Sequence, residues 1–298
     1  MSVGRFAPTP SADLHLGNLR TALVAWLFAR SAGSAFRLRI EDLDPDSQRP
    51  GVADRQVRDL ERLGLDWDGP VVWQSEHLGR MHDAIAQLEG AGLVYSCYCS
   101  RRDVLEASVA PQGLVPDGAY PGTCRELTAR ARASREADGR PAALRLRAGS
   151  PVVTITDRRL GAVTAVVDDF VLRRNGGVPA YNLAVVLDDA AQGVEEVVRG
   201  DDLLSSTPRQ AYLGSLLGLA PLTYAHIPLV VAADGRRLAK RDGAVTLDDR
   251  LALGESVGDV VARLVASLGL TGSNESRAGL VERFDPDLLP TDPWVFEG

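Results

Sequence analysis

The side chains best suited to chemistry fall in a few short stretches. In Pro8-Thr9-Pro10-Ser11-Ala12-Asp13-Leu14-His15-Leu16-Gly17-Asn18, His15 and Gly17 stand where a loop enters a helix. Unpaired N–H groups and the positive dipole end gather there, and phosphate binds readily. Gly17 lets a ligand approach the backbone, and His15 can hydrogen-bond phosphate oxygens as charge builds on them. Glu41, in Arg39-Ile40-Glu41-Asp42-Leu43-Asp44, follows a strand and can take an ammonium group. Arg199, in Val197-Val198-Arg199-Gly200-Asp201, stands at another strand end and can grip a carboxylate bidentately. Asp234-Gly235-Arg236-Arg237-Leu238-Ala239-Lys240-Arg241-Asp242-Gly243 is a cationic loop between glycines, able to close on a triphosphate.

All three cysteines lie in one window, at Cys97, Cys99 and Cys124. A Cys-x-Cys pair with a distant third thiolate offers three soft ligands for tetrahedral zinc. No histidine lies between Cys97 and Cys124, so Tyr120 is the candidate fourth ligand. Three reduced, partly buried thiols satisfy the same pattern.

The elements that position these groups alternate between strand and helix. Val3 to Ala7 can extend, and Pro8-Thr9-Pro10 forbids helix because each proline disfavours the α region before it. Ser11 and Asp13 are natural helix caps. Leu16, Leu19, Leu23, Trp26 and Leu27 then recur at helical spacing. Phe36 to Ile40 alternates like a strand, and residues 56–65 and 75–93 read as amphipathic helices. Residues 152–156, 162–167 and 194–198 read as strands, while 210–217 and 257–268 read as helices. The fold expected is α/β, with a doubly wound parallel sheet. Arg125, Arg130, Arg132, Arg135, Arg140, Arg145 and Arg147 form a basic stretch after the last cysteine. It suits either a solvated helix face or phosphate contacts to RNA.

Composition is that of a globular chain: 298 residues, 45% hydrophobic and 24% charged. A net charge of −7 argues against indiscriminate nucleic-acid binding but leaves room for a local basic face. Met-Ser-Val-Gly-Arg has no apolar stretch behind it, so no signal peptide is expected. No apolar run reaches membrane-spanning length. Three cysteines, an odd number lying close together, suit a reducing cytosol and a metal better than disulfides. A cytoplasmic monomer is expected.

The first stretch resembles the His-Ile-Gly-His signature of the class I aminoacyl-tRNA synthetases. The fuller string Arg5-Phe6-Ala7-Pro8-x-Pro10, then Leu14-His15-x-Gly17, resembles their glutamyl branch. Arg39-Ile40-Glu41-Asp42-x-Asp44 is similar to the branch's second stretch. So is Pro179-x-Tyr181-x-Leu183-Ala184-Val185-Val186-x-Asp188-Asp189, and so is Val197-x-Arg199-Gly200-x-Asp202-Leu203. Arg237-Leu238-Ala239-Lys240-Arg241 resembles the Lys-Met-Ser-Lys-Ser signature. Asn18 replaces the second histidine, Ala12 a glycine, and Glu196 a histidine beside the Arg199 motif. Arg237 replaces a lysine, and Ala239 loses a hydroxyl. The resemblance covers residues 3–250.

That resemblance implies ATP-dependent activation of L-glutamate. Arg5, Tyr181 and Arg199 would bind its carboxylates, Glu41 its ammonium, and Thr9 and Ser11 would add hydroxyl contacts. His15, Gly17, Asn18 and Lys240 would serve the adenylyl transfer, with Arg237 on ATP and Mg²⁺ accompanying it. The Cys-x-Cys…Tyr-x-x-x-Cys arrangement resembles that of the queuosine-modifying members, which favours one structural zinc at Cys97, Cys99, Tyr120 and Cys124. Those members transfer glutamate to queuosine in the anticodon of tRNA(Asp), which makes that tRNA the expected partner. Only about fifty residues follow Thr246. The expected division is therefore catalytic halves at 1–94 and 151–233, an insertion at 95–150, and a signature loop with a helical tail at 234–298, without an anticodon-binding domain. Three alternatives remain: a shortened glutamyl-tRNA synthetase charging a tRNA 3′ end, a non-catalytic nucleotide- or RNA-binding paralogue, and another nucleotidyltransferase of this fold.

Overall fold

The computed structural model describes residues 2–100, 102–104, 114, 118–238, 243, 245–270 and 276–297. Strand β1 (Val3–Phe6) pairs in parallel with β2 (Ala35–Ile40), and β2 with β3 (Val72–Trp73). Helix α1 (Leu16–Ser31) makes the crossover. Its Leu16, Leu19, Leu23, Trp26 and Leu27 are buried, but so are Ala22, Val24, Ala25, Phe28 and Ala29. The helix is thus enclosed on nearly every side, and its alanines permit close approach of β1. Truncating Leu19 or Leu23 to alanine costs about 2–5 kcal/mol at such a site.

The helix does not begin where its cap-forming residues suggest. Ser11 and Asp13 are not caps; His15 is the N-cap. The Gln56 amide, on α2 (Val52–Arg62), donates to the Thr9 carbonyl at 3.0 Å and the Ala12 carbonyl at 2.8 Å, holding the loop away from helix. Asp13 is taken by Arg55 at 2.6 Å. Leu16 N–H then donates to the Val245 carbonyl at 2.8 Å, fixing where helix starts.

Helix α3 (Leu78–Gly90) follows a 3₁₀ turn at Gln74–His77 and leads to β4 (Val94–Cys97). Helix α4 (Ala129–Ala137) and β5 (Ala143–Leu146) come next. After them run β6 (Val152–Asp157), β7 (Gly161–Val166), β8 (Val171–Arg173) and α5 (Tyr181–Ala191). The apolar run at Leu183–Leu187 is thus helical, packed against α3 and β8. Strand β9 (Glu196–Gly200), α6 (Thr207–Leu216), β10 (Thr223–Ile227) and β11 (Val230–Ala232) follow. Strand β9 carries Arg199 and Gly200 within it because they pair with His226 and Ile227 of β10. The chain closes with α7 (Leu247–Ala252), α8 (Val257–Ala266), α9 (Arg277–Arg283) and β12 (Trp294–Phe296).

Strand β9 runs parallel to β10, and β10 to β6. Strand β1 lies beside β9 in the same sense: Glu195 N–H donates to the Val3 carbonyl at 3.0 Å, and the Arg5 side chain donates through Nη1 to the Val198 carbonyl at 3.3 Å. Two sheets, β3-β2-β1 and β9-β10-β6 with β7 antiparallel at its edge, thus meet along β1 and β9 in the spatial order β3-β2-β1-β9-β10-β6. The winding reverses between β1 and β9, where a crevice opens at the carboxyl ends of the strands. Strands β4, β5 and β8 form a separate antiparallel sheet. Helices α8 and α9 pack on α1 in the main core. Among the described residues, no helix is long and apolar enough to cross a membrane.

Candidate active site

A cleft of about 440 Å³ lies at this reversal. Arg5, Thr9, Ser11, His15, Gly17 and Asn18 line it from the first segment. Glu41 reaches it from the end of β2, Tyr181 from the start of α5, and Arg199 from β9. Arg237 closes one side, while Lys240 lies outside the described residues.

At the α1 terminus the cap is reciprocal. Asn18 N–H donates to His15 Nδ1, and His15 N–H donates to the Asn18 side-chain oxygen, each at 3.2 Å. An imidazole accepting at Nδ1 carries its proton on Nε2 when neutral. Burial, reinforced by Arg237, lowers the His15 pKa to about 4, so the ring is neutral at pH 7. His15 is thereby a fixed Nε2–H donor at a helix N-terminus. Arg237 itself pairs with Asp202 at 2.6 Å.

Deeper in, charges alternate. Asp189 sits between Arg5, at 3.2 Å, and Arg39, at 2.8 Å. Arg39 also reaches Glu41 at 3.3 Å. Burial would raise the Asp189 pKa, but Arg5 and Arg39 hold it below the ordinary carboxylate value. The reverse holds at Glu41, where burial outweighs Arg39 and Arg5 and raises the pKa. A ligand ammonium beside Glu41 would favour its ionised form and offset the cost of burying it.

Arg199 is buried, 4% exposed, and among the described residues no carboxylate pairs with it. Its Nε–H donates to His226 Nε2 at 3.2 Å, Nη2 to Thr207 Oγ1 at 2.7 Å, and Nη1 to Tyr181 Oη at 3.4 Å. Arg5 has its anion within the protein; among the described residues Arg199 has none. Glu196, the substitution beside this motif, turns to Arg158 at 3.5 Å.

Reading the sequence did not single out Asp189, Arg39, Gln56, Asp157 or His226. The alternation of Phe36 to Ile40 places Arg37 and Arg39 on one face, the available signal for a buried cation. Asp189 could not be paired with it from spacing alone.

The cysteines converge away from the cleft. The sulfurs of Cys97, Cys99 and Cys124 lie within 4.8 Å of one another. Tyr120 Oη is 3.4 Å from Cys97 Sγ and 3.7 Å from Cys99 Sγ, and accepts Cys124 N–H at 2.8 Å. Burial pushes the Cys99 thiol up to about 12, whereas at Cys97 the hydrogen bond with Tyr120 overcomes burial and lowers it. The arginines that follow divide in two. Arg125 pairs with Asp169 at 2.6 Å, Arg147 with Glu126 at 2.6 Å, and Arg145 lies 3.7 Å over the Tyr120 ring. Arg130, Arg132 and Arg135 stay exposed on α4.

Residues 2–287 match the family described as tRNA synthetases class I (E and Q), catalytic domain. The chain is 59% identical over 292 residues to the glutamyl-Q tRNA(Asp) synthetase of Nocardia farcinica, covering 98% of this chain and 92% of that one. To the protein of that name from Symbiobacterium thermophilum it is 47% identical over 307 residues, covering 98% and 95%. The glutamate-tRNA synthetase structure from Elizabethkingia anophelis shares the fold, with a TM-score of 0.83 at 23% identity over 100% of this chain and 68% of that one. A phosphate-ready helix terminus and a buried guanidinium with no carboxylate partner among the described residues, at the switch of a parallel sheet, fit that match, and the chain belongs to the class I tRNA synthetase (E and Q) catalytic-domain family.

Proposed function

We propose that the chain activates L-glutamate with ATP and transfers the glutamyl group to the queuosine base of tRNA(Asp). One observation carries the amino-acid half: Arg199, buried and with no carboxylate partner among the described residues, shares a cleft with Glu41, whose Arg39 is also claimed by Asp189. Carboxylate and ammonium find opposite charges there. The acceptor is inferred from the names of the relatives.

Glutamate binds with one carboxylate on Arg199 and Tyr181 and its ammonium on Glu41. Arg5, Thr9 and Ser11 complete the pocket. A carboxylate oxygen attacks the α-phosphorus of ATP, the bond to the β-phosphate breaks, and pyrophosphate leaves. His15 Nε2–H and the Gly17 N–H donate to the phosphate oxygens as charge grows, Asn18 holds the imidazole in place, and Arg237 and Lys240 hold the leaving pyrophosphate. Bound with ATP, Mg²⁺ would supply further neutralising charge to the phosphates. The acceptor then attacks the glutamyl carbonyl and AMP departs. Placement and electrostatics supply the rate.

Cys97, Cys99, Tyr120 and Cys124 fit one zinc: three cysteine sulfurs and a phenol oxygen converge, soft donors predominate, and these four side chains would hold the ion. Bound zinc supplies folding energy to the insertion at 95–150, whose small cluster of Tyr95, Cys97, Tyr98, Tyr120 and Cys124 stands apart from the main core. The exposed arginines of α4 face RNA phosphates. The division of the chain at residues 94, 150 and 233, and action as a cytoplasmic monomer, belong to the same reading.

The test is glutamate-dependent ATP–pyrophosphate exchange, with glutamine and aspartate as controls, followed by transfer to tRNA(Asp) with and without queuosine. Exchange with glutamate and transfer only to the modified tRNA are expected. Transfer to unmodified tRNA ends would select the 3′-charging alternative. No exchange, with or without tRNA, would select a non-catalytic paralogue.

A further inference from the structure

We propose that Asp157 and His226 are positioning residues that occupy one edge of Arg199 and leave its other edge, still fully charged, for a ligand carboxylate, so that they select a carboxylate over a carboxamide. The proposal rests on the cleft being an amino-acid site.

Both side chains are completely buried, and Asp157 Oδ2 lies 2.6 Å from His226 Nδ1. Asp157 cannot swing away. Its Oδ1 accepts the N–H groups of Arg159 and Leu160, each at 2.9 Å, and Oδ2 accepts His226 N–H at 3.1 Å. A carboxylate fixed against Nδ1 keeps the proton on that nitrogen and leaves Nε2 as an acceptor. Nε2 then receives the Arg199 Nε–H at 3.2 Å, and Thr207 Oγ1 lies 3.1 Å from the same nitrogen. The Tyr224 ring backs both groups, stacked on His226 and 5.6 Å from the Arg199 guanidinium carbon.

A guanidinium carries five N–H donors in a planar fork. His226 and Thr207 take the edge formed by Nε and Nη2. The edge formed by both Nη groups lies on the side of Tyr181, which lines the cleft with Arg199, whereas His226 and Thr207 do not line it. A carboxylate placed directly against Nε would orient Arg199 equally well, as Asp189 orients Arg5, but would cancel its charge. A neutral imidazole orients the fork without doing so, while Asp157 one link behind offsets the cost of burying the cation. An amide offers the free edge one acceptor and one donor, and the donor faces N–H.

The experiment uses the whole protein and three substitutions. His226→Asn retains a donor toward Asp157 but lacks the acceptor for Arg199, whereas His226→Gln restores an acceptor near the Nε2 position. Glutamate KM in pyrophosphate exchange is expected to rise roughly 10- to 100-fold in His226→Asn, with the preference over glutamine reduced. ATP KM should stay within about twofold and kcat should change less than glutamate KM. His226→Gln should recover part of the loss. Ser215→Ala, on α6 outside the cleft, serves as the unchanged control. A folded His226→Asn protein with wild-type glutamate KM and preference overturns the proposal. Nitrogen-15 NMR of the wild type tests it without activity or substitution: a proton on Nδ1 is expected, and one resident on Nε2 overturns it. If calorimetry shows that the wild type binds no glutamate, the amino-acid reading fails, and the proposal fails with it through a different measurement.

Discussion

The His15 imidazole lies where a side chain on Gly17 would have to be. A Cβ at Gly17 would stand 2.9 Å from both Nδ1 and Cε1 of the ring. The glycine thus makes room for its neighbour's ring as well as for a ligand. Gly17→Ala should push the imidazole off its cap position and lower pyrophosphate exchange by about 100-fold. The lost cap and alanine's helix preference roughly cancel, so stability should change by less than about 1 kcal/mol. Exchange rates with thermal melts check this, and wild-type exchange would show that the ring position is immaterial.

His15→Asn separates capping from catalysis. Asparagine caps as well as any residue, so the fold should hold, while the Nε2–H donor is lost and exchange falls by about 10²–10³. The pH profile gives a second readout. Folded His15 titrates at about 4 against an ordinary 6.5, because burial and Arg237 oppose its charge. Between those values the unfolded chain binds a proton that the folded chain refuses, so this contribution to stability falls as pH drops through the window. His15→Asn should flatten that part of the curve. Asp59 acts in the opposite sense: burial raises it to about 6 from 3.8, so its contribution falls as pH rises through that range. Denaturant midpoints measured from pH 4 to 7 in the wild type and in His15→Asn resolve the two.

Arg199→Ala should weaken glutamate capture by about 2–5 kcal/mol, the usual cost of truncating one partner of a buried charge pair. Asp189→Asn should behave differently. It leaves Arg5 and Arg39 without their shared anion and should destabilise the fold by about 3–5 kcal/mol. Calorimetry with glutamate and urea unfolding separate the effects. Unchanged glutamate binding in Arg199→Ala would remove that residue from the site.

The purified protein should hold about one zinc per chain, since one closed site takes four ligands. Chelation should expose all three thiols to titration and melt the insertion before the main core. Tyr120→Phe should weaken metal retention, because only the phenol oxygen is removed. Elemental analysis that finds no zinc, with three freely titrating thiols, would leave the cluster as reduced cysteines.

The sequence by itself determined the α/β pattern, the loop that enters the first helix at His15 and Gly17, and the family resemblance. These are local facts: proline excludes helix, apolar spacing sets helix faces, and short motifs hold their order along the chain. The cysteine window was equally legible, because three thiols within one segment limit what they can do together. Tertiary structure alone decided that His15 rather than Ser11 or Asp13 caps α1, since Gln56 and Val245 fix where the helix begins. It also decided that Asp189 balances Arg5 and Arg39, and that His226 and Asp157 stand behind Arg199. Many carboxylates and imidazoles in the chain could have filled those places. Which ones do is set by which strand ends the sheet brings together, and the cost of burying an unpaired charge then makes that choice binding.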